Sequence, residues 1–186
     1  MSHDSSADDT LNNSLVVSPT QLDHRQGSLT ASLVLVEYGD FQSPQTAILN
    51  TLIKTIQHQE HDLCFVFRHF PQRHLHPQSL KAAAAAEAAS AQGLFWQMFD
   101  RLFAHQQALG NGYLVEYAAE IGLDIPQFLR EIARDVHLDR IHQDIASATQ
   151  SGVRHAPALF INQERYRDVL ALEPLTTALL NARNFS

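Results

Sequence analysis

A single α/β domain, in which a long helical block interrupts a mixed sheet, is the fold class that the sequence predicts. Three observations carry the prediction. Two short, branched apolar runs, LVLV at 33–36 and LCFVF at 63–67, flank a stretch of helical periodicity, the pattern of a parallel strand–helix–strand unit. Residues 78–149 then keep helical spacing almost throughout. A third apolar run, ALFI at 158–161, leads into Asn162 and Gln163 and a further short stretch, the pattern of a tight hairpin.

Each element has its own reason. Residues 1–14 are acidic and rich in Ser, Asp and Asn, so a disordered tail is expected there and the domain proper over 15–186. Leu15, Val16 and Val17 read as a short edge strand, and 18–32 as the loop into the central strand. That central strand begins with the run at 33–36 and is broken by Gly39 and Asp40. Ser43 and Pro44 open a helix to about residue 59. Serine is a preferred N-cap, and proline suits the first turn, where its missing N–H has no intrahelical partner to lose. Ile48, Leu49, Leu52, Ile53 and Ile56 share one face of that helix. Its unpaired amides and positive dipole end make the surroundings of Ser43 a place to stabilise an anion.

The second strand, 63–70, ends at Pro71. Within the helical block, residues 82–89 carry one charge, Glu87, and their small side chains allow close packing. Phe95, Phe99, Leu102 and Phe103 follow at helical spacing, and 110–112 reads as a loop. A helix at 114–121 is stopped by Gly122; Ile125 and Pro126 open another carrying Phe128, Leu129 and Ile132; a further one covers 138–149. The block, about 78–150, reads as an insertion between two halves of the sheet. Residues 164–168 then supply the antiparallel partner of the third run, and 172–182 the last helix.

Composition removes several function classes. The 186 residues suit one domain, and a 45% apolar content supplies a sizeable core. A net charge of −7 with no basic tract argues against non-specific nucleic-acid binding, because nothing replaces the counterions on phosphates. The single cysteine, Cys64, excludes an intrachain disulfide and a cysteine-based zinc site. Set among Leu63, Phe65 and Val66, it reads as a small hydrophobe. His69, His74 and His76 lie close in sequence, but metal ligands converge from fixed elements, so no metal is expected. No apolar run approaches the roughly 18 residues of a spanning helix. No basic-then-apolar signal opens the chain either, so a cytoplasmic location is expected.

The stretch VEYGDFQSPQT at 36–46 resembles the active-site segment of the DsbA-like thioredoxin-fold family, where EYGDFQCPYC or a close variant is usual. FRHFP at 67–71, with His76 and Pro77, resembles the family's YRHFPL…HP segment. Residues 86–109 resemble its AAEAAGAQGKFWEMHDLLFEHQ helices, and GVRHAPALFIN at 152–162 its GVxGTPTFFING loop. The resemblance runs from Val36 to the C-terminus. It implies a thioredoxin fold with a DsbA-type helical insertion, nearest in flavour to bacterial DsbA-like domains, some of them fused to sodium/proton antiporters.

In that family a thiol at the helix N-terminus attacks a substrate disulfide and a second thiol resolves the mixed disulfide. Here the two positions are Ser43 and Thr46, so the working dithiol is missing. Hydroxyls form no disulfide and stay protonated near neutral pH. Ser43 reads as a plain helix cap or, functionally, as a donor to a bound thiolate such as that of glutathione; Thr46 reads as structural. Glu37 matches the family's buried glutamate, which moves protons for the second cysteine, and without that thiol it reads as a relic held by a hydrogen bond. Pro157 matches the family's cis-proline, which faces the active site and leaves the preceding backbone free to pair with an extended peptide. Ala156 replaces the more usual Thr or Val and leaves that pairing open. Pro44, Gln45, Ala156 and Pro157 are the expected peptide-contact residues.

The expectation is therefore a redox-inactive relative, without cofactor or metal, that binds an extended peptide or protein segment as a chaperone-like module. Whether it is an enzyme, and whether it forms a homo-oligomer, stay open. The alternative is a glutathione-dependent transferase or isomerase of the kappa or 2-hydroxychromene-2-carboxylate isomerase type. Those proteins carry Ser-Pro-Tyr where this chain has Ser43, Pro44 and Gln45, so Gln45 is a departure.

Overall fold

The computed structural model describes residues 14–184; the expected tail lies, apart from Ser14, outside them. Five strands form one sheet: β1 (His24–Gln26), β2 (Leu33–Gly39), β3 (Leu63–His69), β4 (Ala158–Ile161) and β5 (Glu164–Arg165), in the order β1-β3-β2-β4-β5. β2 and β3 are parallel, with Leu33 opposite Leu63 and Gly39 opposite His69. The other pairs are antiparallel. The first helix, α1 (Pro44–Gln59), connects β2 to β3. Between β3 and β4 come α2 (Ser79–Ser90), α3 (Phe95–Ala104), α4 (Asn111–Glu120), α5 (Ile125–Ala133) and α6 (Leu138–Gln150); α7 (Leu172–Asn184) follows β5.

Alternation along β2 divides the core. Leu33 and Leu35 face the larger cluster, which takes in Leu49 and Ile53 of α1, Leu175 and Leu179 of α7, and the apolar stripes of α2 to α5. Val36 and Tyr38 face a smaller cluster with Leu15, Cys64, Ala148 and Phe160. β2 and β3 are buried along nearly their whole length, as expected of central strands covered on both faces. Gly122, at φ +83°, terminates α4 with Leu123 N–H reaching the Ala118 carbonyl at 2.9 Å. That left-handed turn favours glycine because it has no Cβ to clash.

Several boundaries depart from the sequence-based expectation. Residues 15–17 form no strand: Ser14 makes an isolated bridge to Glu164, and Val16 and Val17 are exposed. The Arg68 guanidinium takes the Val17 carbonyl at 2.8 Å and the Ser18 carbonyl at 3.3 Å, holding this stretch as irregular chain. The edge strand lies instead inside the expected loop, at His24–Gln26. Its polar residues carry no strand signature because His24 pairs with buried polar groups. Ile48 is 54% exposed, and the buried stripe of α1 runs through Thr46, Leu49, Asn50, Ile53 and Ile56. Two polar residues sit inside that stripe, so apolar spacing alone misplaces it. The expected loop at 110–112 is the start of α4, capped at Gly110, and β5 has two residues rather than five. Asn162 and Gln163 both have positive φ, the backbone of a two-residue hairpin turn.

Candidate functional site

The site lies where β2 and β3 end and α1 begins. Gly39 closes β2 and allows a close approach: a Cβ there would meet Phe67 Cε2 at 2.3 Å and Thr46 Cγ2 at 2.9 Å. With no side chain at 39, the first turn of α1 settles directly onto the sheet. Ser43 is the N-cap, its Oγ accepting the Thr46 N–H at 3.3 Å. That hydroxyl in turn donates to Gln45 Oε1 at 3.3 Å. Ser43 is 1% exposed and Thr46 is fully buried, whereas Pro44 and Gln45 are exposed. The serine hydroxyl is thus occupied and shielded rather than presented to solvent.

Asp40, which follows Gly39 and is 1% exposed, is the hub of the turn. One carboxylate oxygen accepts the Gln42 N–H at 2.8 Å. The other accepts the Gln72 N–H at 2.9 Å and pairs with His76 Nδ1 at 2.8 Å. Gln106 donates to the Phe41 and Ser43 carbonyls at 2.8 and 2.9 Å, so the helical insertion clamps the same turn. Asp40 therefore fixes the loop after β3 against the loop after β2.

The third wall is the loop before β4. The Ala156–Pro157 bond is cis, and both residues are half-buried. The Ala156 N–H donates to Gln72 Oε1 at 2.9 Å, and Gln72 Nε2 donates to His155 Nδ1 at 3.3 Å. The backbone donor beside Pro157 is thus already taken. Gln72 and Asp40 went unrecognised in the sequence, because neither belongs to a periodic pattern and each acts through long-range backbone bonds.

Glu37 lies on β2 between Phe67 of β3 and Leu159 of β4. It points to the same face as Gly39, under the first turn of α1. It is fully buried, and neither carboxyl oxygen has a hydrogen-bond partner. The expected hydrogen bond is therefore absent, and burial pushes the carboxyl well above its ordinary range, so Glu37 keeps its proton.

The three histidines near 69–76 separate in space. His76 binds Asp40, His74 is exposed, and His69 joins His24 at Glu87. There His24 Nε2 and His69 Nε2 lie 2.6 and 2.8 Å from the same oxygen, Glu87 Oε1. Burial pushes Glu87 upward, but the two histidine hydrogen bonds outweigh it and hold the carboxyl far below its usual range. His69 Nε2 faces Glu87, and its Nδ1 is buried without a hydrogen-bond partner. The Arg140 guanidinium lies 3.9 Å from that same oxygen. Two imidazole contacts and an adjacent guanidinium already engage this one carboxylate oxygen, so the cluster fits a structural tie between β1, β3, α2 and α6 better than a metal.

A family model described as thioredoxin matches residues 20–181. The chain belongs to the thioredoxin family. Among curated relatives of this thioredoxin-family chain are Na(+)/H(+) antiporters NhaA. One from Herminiimonas arsenicoxydans is 36% identical over 88% of this chain and 26% of its own length. Another, from Mycobacterium sp. (strain KMS), is 40% identical over 78% of this chain and 24% of its own. The chain thus spans about a quarter of the length of the curated relatives it matches. Oxidised BdbD from Bacillus subtilis superposes with a TM-score of 0.79 at 17% identity, covering 87% of this chain and 93% of that one. Alpha-DsbA1 from Wolbachia pipientis gives 0.77 at 18% identity, covering 90% and 94%. At such identities these structures establish a DsbA-like fold and nothing finer. In this family member the fold carries one cysteine, Cys64, buried on β3 with its thiol pushed up by burial. No helix among the described residues is long and apolar enough to cross a membrane.

Proposed function

We propose that this chain is a redox-inactive member of the thioredoxin family that binds an extended peptide or protein segment beside Pro157. The observation that carries the first half is the absence of sulfur at the site. Ser43 and Thr46 hold the two positions on α1. Cys64 faces the smaller core cluster, on the opposite side of β3 from Phe67, about 16 Å along the strand from His69 at 3.3 Å per residue. The binding half is supported by the half-buried backbone at Ala156 and Pro157, tied through Gln72 to the Asp40 turn that precedes exposed Pro44 and Gln45. The glutathione reading is the less favoured, because the Ser43 hydroxyl that would hold a thiolate is shielded and engaged.

The NhaA relatives carry the matching sequence within a much longer transport protein, which supports a transporter segment as the partner. A chain with one buried cysteine gains nothing from an oxidising compartment, and the cytoplasm is part of the proposal. The test is paired: insulin reduction by dithiothreitol is followed with and without the protein, and binding of an unfolded chain is measured alongside. Acceleration that survives Cys64→Ala overturns the redox half. Failure of permanently unfolded, carboxymethylated lactalbumin to bind at any accessible concentration overturns the binding half. A melting temperature raised by glutathione would restore the alternative, since a ligand that binds only the folded state stabilises it.

A further inference from the structure

We infer that the Gln72 side chain is an internal occupant of the peptide-pairing position, and that an extended peptide bound at this site must displace it. The inference rests on the peptide-binding reading and deepens it. A segment that pairs with the chain beside Pro157 needs the Ala156 N–H. That donor is taken at 2.9 Å by the carboxamide oxygen of Gln72, while the carboxamide nitrogen donates to His155 Nδ1 at 3.3 Å. The orientation of the amide is fixed by chemistry, because a backbone N–H accepts nothing and must face the oxygen. One carboxamide therefore presents to residues 155 and 156 an acceptor and a donor, as the C=O and N–H of one residue in an extended chain do.

The contact is built rather than incidental. Gln72 is 5% exposed, and its own N–H is tied to the Asp40 carboxylate at 2.9 Å. The same oxygen of Asp40 also pairs with His76. The base of the side chain is thus held, and the carboxamide returns to one place. Such a tethered group competes at an effective concentration on the order of millimolar, so a free peptide must bind well to displace it.

The test measures binding of a fluorescent, capped, uncharged hexapeptide of alternating alanine and threonine to the full chain. It is run on the parent, on Gln72→Leu, which removes the acceptor, and on Gln72→Glu, which keeps one. Leucine ends the YRHFPL segment that residues 67–72 resemble, so Gln72→Leu is expected to fold. Gln72→Leu should bind about tenfold tighter than the parent, equivalent to 1.4 kcal/mol, with the Ala156 amide exchanging faster in the free variant; Gln72→Glu should stay near the parent. Equal binding by parent and Gln72→Leu overturns the inference and leaves the peptide-binding reading standing. An equal gain in Gln72→Glu also overturns it, because space and not the hydrogen bond would then be the cause. Absence of binding by all three overturns the binding reading and the inference with it. Should Gln72→Leu fail to fold, the nitrogen-15-labelled parent is titrated instead. The Gln72 carboxamide and Ala156 amide resonances must then shift together with peptide occupancy, and binding that leaves Gln72 unmoved overturns the inference.

Discussion

Glu37 offers the sharpest physical test of the structure. It is fully buried between Phe67 and Leu159, with both carboxyl oxygens unpartnered, and burial raises its pKa well above the solution value of 4.5. The folded chain therefore holds a proton that the unfolded chain releases. Where the folded state binds more protons, stability falls as pH rises. The loss starts near pH 4.5 and continues until the folded value is reached. At 1.36 kcal/mol per unit, holding that proton at pH 7 costs at most about 3.4 kcal/mol. The unpaired oxygens add a desolvation cost of about 1–3 kcal/mol that is independent of pH.

Two substitutions separate these contributions. Glu37→Gln removes the titration but keeps unpaired polar atoms. The parent-minus-Gln difference in urea-unfolding free energy should fall as pH rises above about 4.5, with a slope no steeper than about 1.36 kcal/mol per unit. Glu37→Leu removes both contributions and adds apolar surface to the larger cluster, offset by about 1–2 kcal/mol for its greater bulk. It should stabilise the protein at pH 7 by about 2–4 kcal/mol, and by clearly less at pH 4.5. Other buried carboxyls titrate equally in parent and variant and cancel in the difference. A difference curve that does not fall anywhere above pH 4.5 would falsify the assignment, since Glu37 would then be ionised against a partner that the structure does not contain.

Further outcomes concern the turn and the polar cluster. Ser43→Ala should lower stability by about 1 kcal/mol in denaturant unfolding, the usual worth of a helix cap, with Ser43→Gly closer to the parent. Asp40→Asn should cost about 2–3 kcal/mol, because an amide cannot accept from the Gln42 and Gln72 amides and His76 together; a loss under 1 kcal/mol would contradict the hub. Glu87 has a depressed pKa, so its contribution is present above about pH 4.5 and lost as pH falls; Glu87→Gln should flatten the acid limb of the stability curve. Ser43→Cys combined with Thr46→Cys, spaced one helical turn apart, should pair under mild oxidant. A thiol count that stays at three in the denatured, oxidised variant would refute the alignment with the family's dithiol.

Much of this fold is legible in the amino-acid sequence alone. The runs at 33–36, 63–67 and 158–161 became β2, β3 and β4, because continuous branched apolar residues have only a doubly covered strand in which to hide. Ser43 and Pro44 marked the start of α1, since cap and first-turn chemistry is local: the serine oxygen serves an amide three residues away. The resemblance at 36–46 placed the site on the fold for the same reason, being one contiguous stretch.

What the tertiary structure alone decided is long-range and polar. The edge strand at His24–Gln26 has no periodic signature, because its partners are Glu87, 63 residues away, and a backbone on β3. The buried face of α1 turned out to include Thr46 and Asn50, which no apolar count selects. Ser43 was expected at an anion-stabilising helix end and is instead covered, because Gln45 folds back over it and Gln106 arrives from α3's end of the insertion. Gln72 reaches Ala156 across 84 residues of sequence. Hydrophobic burial depends on composition and spacing, which a sequence displays. A buried hydrogen bond depends on two groups meeting within about 3 Å, and only the folded chain sets that distance.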